Sequence, residues 1–181
     1  YDNRSRSLAA ARTAERIAEA TERLLATGPV ASVTLQAIAH GAGVTAQTVL
    51  RHMGSRDGCL DSVRKRVAAR VEAERGHSPP GDVDAALAGL LAHYEADGRL
   101  VLNLLSQEAS DAFARDAIEQ GRAYHRAWVV TCFGADLASS DRRPAVDALV
   151  AATDLTVWKL LRLDLGRSAP ETAAVVARLV R

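Results

Sequence analysis

Apolar residues recur at helical spacing along almost the whole chain. Over residues 8–27, Ala14, Ile17, Ala18, Leu24 and Leu25 fall on one face of a helix, with Glu15, Glu19, Glu22 and Arg23 opposite. Gly28-Pro29 stops that helix, pairing a terminal glycine with a residue that cannot continue it. Thr34 is placed to cap a short helix reaching about His40, and Thr45 to cap another reaching about His52. Ser55 opens a long helix to about Arg75, with Leu60, Val63, Val67 and Val71 facing inward. Ahead of all these, residues 1–7 hold Arg4 and Arg6 among polar neighbours and read as a mobile arm.

The run Gly76-His77-Ser78-Pro79-Pro80-Gly81-Asp82 is the strongest linker signal. Beyond it, helical patterns cover residues 83–96, 99–109, 111–137, 141–166 and 169–180, punctuated by Gly98, Gly134, Gly166 and Pro170. No segment alternates with period two for long enough to predict a strand. The expected fold class is therefore all-α, with about nine helices. Composition agrees: the chain is 48% hydrophobic, rich in Ala and Leu and poor in aromatics, a mixture that suits long helices.

Charge is distributed unevenly. Residues 1–76 carry 12 Lys/Arg against 8 Asp/Glu, whereas residues 77–181 carry 11 against 14. A basic front and an acidic back imply that the front meets a polyanion. Cys59 and Cys132 stand apart from each other and from any histidine cluster. That pattern argues against a disulfide framework or zinc site and for a reducing, cytoplasmic setting. No stretch approaches the roughly 18 uncharged apolar residues of a membrane span, so no membrane partner is expected.

Residues 35–54 carry the functional argument. A helix-turn-helix needs a small residue where its two helices touch and a sharp turn between them. Ala39 supplies the small contact, and Gly43 can take the positive φ of the turn at little steric cost. Ile38, Ala42, Val44 and Val49 form the apolar wedge, and Thr45 caps the second helix. The other face of that helix presents Gln47, Thr48, Arg51 and His52, with Arg56 just beyond. These hydrogen-bonding groups suit base edges in the major groove and the phosphates flanking it.

Residues 16–60 resemble the TetR family of transcriptional regulators. The matching stretches are Arg16-Ile17-Ala18-Glu19-Ala20, Thr34-Leu35-Gln36-Ala37-Ile38-Ala39, Ala42-Gly43-Val44-Thr45 and Thr48-Val49-Leu50-Arg51-His52-Met53-Gly54-Ser55-Arg56. More loosely, Ala151-Ala152-Thr153-Asp154-Leu155-Thr156-Val157-Trp158-Lys159-Leu160-Leu161 resembles the penultimate helix of such regulators. Carried over by position, the resemblance implies that Gln47 and Thr48 read bases, with Ala46 and Leu50 in apolar contact. It implies further that Thr34, Thr45, Arg51, His52 and Arg56 hold phosphates. The family usually has Tyr where this chain has Leu50, an aromatic at Met53 and Lys at Arg56. Leu50 cannot donate a hydrogen bond but can meet a thymine methyl.

The implied organisation is an arm and helix-turn-helix DNA-binding domain over residues 1–54 and a connecting helix over 55–75. A linker at 76–82 and a ligand-binding and dimerisation bundle over 83–181 complete it. The implied partners are a palindromic double-stranded operator, a second copy of the chain and a small-molecule effector, with repression as the outcome. No cofactor is expected. Tyr94, Gln107, Tyr124, His125, Trp128, Thr153 and Trp158 are candidates to line the effector pocket. The dimer face is expected on the last two helices, through Val146, Leu149, Val150, Val157, Leu160, Leu161 and Leu165 and through Ala173, Val176, Ala177 and Val180. A small helical enzyme and a DNA-free interaction module are the alternatives. The enzyme is disfavoured because His40, His52, His77, His93 and His125 form no i, i+4 metal pair and no catalytic motif appears.

Overall fold

A computed structural model describes residues 2–76, 78–133 and 142–181. The described residues are helical and contain no strand. In chain order the helices are α1 (Asp2–Thr27), α2 (Leu35–Ala42), α3 (Ala46–Met53), α4 (Arg56–Arg75), α5 (Val83–Gln107), α6 (Ala112–Phe133), α7 (Arg142–Ala152), α8 (Leu155–Lys159) and α9 (Ala169–Leu179). A 3₁₀ turn at Val30–Ser32 follows α1, and a π-helical turn at Leu160–Asp164 continues α8. None of these helices is long and apolar enough to cross a membrane.

The chain forms two compact units. One gathers the residues up to Ala69 together with Leu100–Ala117; the other gathers Arg70–Arg99 and Ile118–Arg181. In the first unit α1, α2 and α3 pack on one another around Ile17, Leu25, Val30, Val33, Ile38, Val49 and Leu60, all buried. The carbonyls that α1 leaves unpaired at its C-terminus are met by side chains. Asn103 Nδ2 donates to the carbonyls of Leu25 at 2.6 Å and Gly28 at 2.8 Å. Arg56 Nε and Nη2 donate to the carbonyls of Val33 at 2.7 Å and Val30 at 2.6 Å. Glu15 and Glu22 of α1 both pair with Arg66 of α4.

The second unit is built around Leu87, Leu90, Tyr94, Trp128, Val129, Val146, Trp158 and Val176. Its linker is pinned: the Gly81 N–H donates to the Cys132 carbonyl at 2.9 Å, and Gly81 takes a φ of 84°.

Three expectations need correction. The arm does not exist as such, because α1 already includes residues 4–7 and runs on to Thr27. Nothing between Arg4 and Thr27 breaks a helix, and Ala9, Ala10 and Ala11 favour one. Gly98 does not divide 83–96 from 99–109, since α5 is continuous through it. A Cβ on Gly98 would lie 2.7 Å from Cζ3 of Trp158, so this glycine is a notch that receives the indole. Finally, the pattern at 141–166 is not one helix. α7 ends at Ala152, and the Asp154 carboxylate accepts from the Thr156 N–H at 2.8 Å and its hydroxyl at 2.5 Å, starting α8 afresh. His77, Gly134 and the ends of two predicted helices, at 134–137 and 141, lie outside the described residues.

The two readings of a helical glycine make opposite predictions. Gly98→Ala should destabilise the protein by about 1–3 kcal/mol through overpacking against Trp158. Gly121→Ala, where the added methyl meets nothing within 4 Å in the exposed middle of α6, should stabilise it by roughly 0.5–1 kcal/mol. Urea unfolding of the two variants decides between these outcomes.

Candidate functional site

The junction of α2 and α3 is a turn stabilised at every step. The Thr34 hydroxyl accepts the Ala37 N–H at 3.1 Å, starting α2. Gly43 sits at φ 64°, ψ 40°, the left-handed conformation that a side chain would strain. Around it the Gly43 N–H donates to the His40 carbonyl at 3.2 Å and the Val44 N–H to that of Ala39 at 3.0 Å. This pair of bonds closes the end of α2 while the chain reverses. Thr45 then accepts the Thr48 N–H at 3.1 Å, starting α3, and its hydroxyl lies 3.0 Å from that of Thr48. Val49 is wholly buried and holds α3 against the unit.

With Val49 inward, the other residues of α3 are set by helical rotation. Gln47 and Arg51 are exposed, as are Thr34 and Thr45; Ala46, Thr48, Leu50 and His52 are half-buried. Seven of the nine candidates for DNA contact thus share α3 and its N-cap, while Thr34 caps α2. Arg56 stands apart: two of its nitrogens are occupied by the carbonyls of Val30 and Val33, and Nη1 lies 3.6 Å from Asp57. Arg6, taken for part of an arm, instead lines a shallow groove of about 340 Å³ with Ala9, Ala10, Thr13, Arg51 and His52. The groove joins cations of α1 and α3 over a floor of small residues.

Several positioning residues were not singled out from the sequence. Arg23 Nη2 donates to the Gly41 carbonyl at 3.1 Å and so satisfies the end of α2. A Cβ on Gly41 would lie 3.3 Å from that of Ala20, which marks a close approach of α1 and α2. A Cβ on Gly58 would overlap the Met53 carbonyl oxygen, so only glycine lets the start of α4 fold back on the end of α3. A glycine inside a helical pattern was the available signal, but it does not reveal which neighbour comes close.

The effector candidates divide between the units. Gln107 belongs to the first, where its Oε1 accepts the Val30 N–H at 2.8 Å. Tyr94, Tyr124, His125, Trp128, Thr153 and Trp158 all lie in the second unit. Tyr94 donates to the Thr153 carbonyl at 2.9 Å, His125 Nε2 lies 3.1 Å from the Thr153 hydroxyl, and His125 stacks on Trp128 at 5.7 Å. Trp158 meets Tyr94 with ring centres 6.2 Å apart, and its indole N–H donates to Glu95 at 2.8 Å. The residue missed here is Arg75, whose Nη2 lies 2.9 Å from His125 Nδ1. In the sequence it reads as an ordinary cation in the last turn of a helix.

A capped eight-residue helix behind a left-handed glycine turn, in a chain whose described residues contain no strand, is the geometry of a helix-turn-helix. Residues 17–63 match the profile of the bacterial regulatory proteins of the tetR family. No curated protein is similar enough to count as a match. Among solved structures, one described as a transcriptional regulator from Saccharomonospora viridis in complex with choline is 17% identical. That match covers 94% of this chain and 96% of the other, with a TM-score of 0.65. A TetR-family regulator from Rhodococcus sp. is 16% identical over 93% of this chain and 97% of its own, with a TM-score of 0.65. The multidrug binding protein EbrR, complexed with imidazole, is 15% identical over 92% and 89%, with a TM-score of 0.58. At these identities the likeness is one of fold.

Burial, and secondarily the Arg75 charge, push the His125 pKa down to about 4. In the unfolded chain the imidazole returns to about 6.5. Between those values the unfolded state binds the extra proton, so stability falls as pH drops from about 6.5 towards 4. The expected contribution is about 3 kcal/mol, and it should be missing from the pH profile of His125→Gln. Equal slopes in the two proteins, measured by urea unfolding, would contradict the assignment.

Proposed function

We propose that this regulator is a repressor that binds a palindromic operator as a homodimer and leaves it when a small molecule occupies the helical body. The observation that carries the reading is the outward face of α3, where Gln47 and Arg51 project from a helix fixed by Val49 and the Thr45 cap. On this reading Gln47 and Thr48 read bases, Ala46 and Leu50 touch thymine methyls, and Thr34, Thr45, Arg51 and His52 hold phosphates. Arg56 acts chiefly by tying the 3₁₀ turn after α1 to α4, and reaches a phosphate through its remaining nitrogen. Arg6 joins Arg51 and His52 on the same strand of backbone, because the three line one groove.

One short helix reads few base pairs, so specificity calls for two, roughly 34 Å or a multiple apart. The second copy is drawn to apolar surface at the C-terminal end: Leu160 is 49% exposed, Leu165 52% and Leu179 54%. Val146, Leu161 and Val176, which the pattern also offered for that face, are buried and pack within their own unit. The functional division keeps residues 1–54 for DNA, 55–75 as connection, 76–82 as linker and 83–181 for ligand and dimer. Cytoplasmic residence follows from that role. Complexes of two similarly folded proteins with choline and with imidazole support a ligand site in the body. For that ligand to act, it must bind better to the form of the dimer whose α3 helices miss their half-sites.

Gel-shift titration on the DNA flanking the chain's own gene tests the reading, with binding that weakens steeply as salt rises. Arg51→Ala should weaken binding to every sequence by about tenfold and lower the salt slope by about 1. Gln47→Ala should relax discrimination at one base position by about 1–3 kcal/mol while leaving the salt slope alone. Two variants that bind like the parent would place the DNA face elsewhere.

A further inference from the structure

The second unit contains a buried cation with no anion beside it. Arg75, the last residue of α4, is 4% exposed. Its guanidinium carbon lies 4.2 Å from the centre of the Trp128 ring and 5.2 Å from that of Tyr124. Among the described residues its one hydrogen bond goes to His125 Nδ1 at 2.9 Å, and no carboxylate pairs with it. Its Nε–H has no partner, and neither does the buried indole N–H of Trp128, the ring it lies over.

The surrounding polar groups cannot make up the deficit. Arginine donates, so His125 Nδ1 accepts, and the imidazole is neutral with its proton on Nε2. That proton points to the Thr153 hydroxyl at 3.1 Å, which in turn donates to the Leu149 carbonyl at 2.6 Å. Tyr94 donates to the Thr153 carbonyl at 2.9 Å. Every link runs in one direction, and what remains over is donors. The faces of Trp128 and Tyr124 attract the cation without neutralising it. The carbonyl end of α4 carries partial negative charge, yet no hydrogen bond joins the guanidinium to it. Burial lowers the Arg75 pKa from its usual value, the mark of a charge that water does not reach. Nor can the residue withdraw easily: α5 passes so close to the end of α4 that a Cβ on Gly89 would overlap the Glu74 carbonyl oxygen.

A buried cation whose own Nε–H and whose neighbouring indole N–H both lack partners needs an acceptor that brings negative charge. We infer that Arg75 anchors a small carboxylate ligand, its charge on Arg75 and the Trp128 N–H and its apolar body against the rings of Trp128 and Tyr124. Tyr124 is only half-buried, so the cluster reaches the surface at that ring. The inference rests on the effector reading above and names its chemistry: the effector is an organic acid.

The test uses the full chain and two probes, benzoate and octanoate, each against its neutral amide at equal ionic strength. Both acids should raise the thermal midpoint and change tryptophan emission, and the amides should do neither. Trp128→Phe should lose most of the emission change and, with the indole donor gone, part of the thermal shift. Arg75→Gln should weaken the acids by about tenfold or more, the usual weight of a charge-assisted hydrogen bond. Should Arg75→Gln not fold, the contrast of acid with amide on the parent protein still decides. Amides as effective as acids would overturn the anchor, and so would acids without effect, since the unpaired donors would then be met by water. Gel shifts run in parallel keep the two readings apart. Intact DNA binding without a response to the acids sinks the anchor alone. Bound acid that leaves DNA affinity unchanged keeps the anchor and sinks its role as effector.

Discussion

An eight-residue helix is too short to hold its own shape in water, so α3 depends on what fastens it at three points. Thr45 satisfies its first amides, Val49 is driven into the core beneath it, and Gly54, at φ 76°, lets the chain leave with its N–H still bonded to the Leu50 carbonyl at 2.8 Å. Each of these constraints fixes rotation about the helix axis. Gln47 and Arg51 face outward because Val49 faces inward, and a different anchor would turn a different set of residues to the surface. The chemistry of the DNA face is thus a consequence of packing on its opposite side.

The same reasoning extends backwards along the chain. α2 and α3 can rest on α1 only if the carbonyls at the end of α1 are satisfied, and Asn103, Gln107 and Arg56 are engaged around that junction. Arg56 shows how one residue type admits two readings. Its position beside the recognition helix suggests a phosphate contact, while its bonds to Val30 and Val33 show it bracing the scaffold. Arg75 presents the opposite case: a cation at a helix terminus that looks ordinary in sequence is enclosed among aromatic rings with donors to spare.

Much of the fold was legible because the relevant physics is local. The caps at Thr34, Thr45 and Ser55, the stop at Gly28-Pro29 and the turn at Gly43 depend on residues within a few positions of one another, and each is where the pattern put it. The failures came where a local signal meant something else at a distance. Gly98 reads as a break but serves as a socket for Trp158, sixty residues on, and Asp154 sits in an apolar pattern whose periodicity hides the cap it supplies. Residues 4–7 of α1 read as an arm because they are exposed and have no buried face to reveal them.

By itself, then, the sequence determined a helical chain, the bend at Gly43, the polar run that follows Thr45 and the family profile that residues 17–63 match. Tertiary structure decided which candidates meet: it bonded Gln107 to Val30, brought Arg6 to Arg51, and enclosed Arg75 with Trp128. The physical reason is one of range. Hydrogen bonds in caps and turns span a few residues and leave a mark in their spacing. Burial and the loss of solvent around a charge are produced by segments far apart in the chain, and spacing carries no record of them.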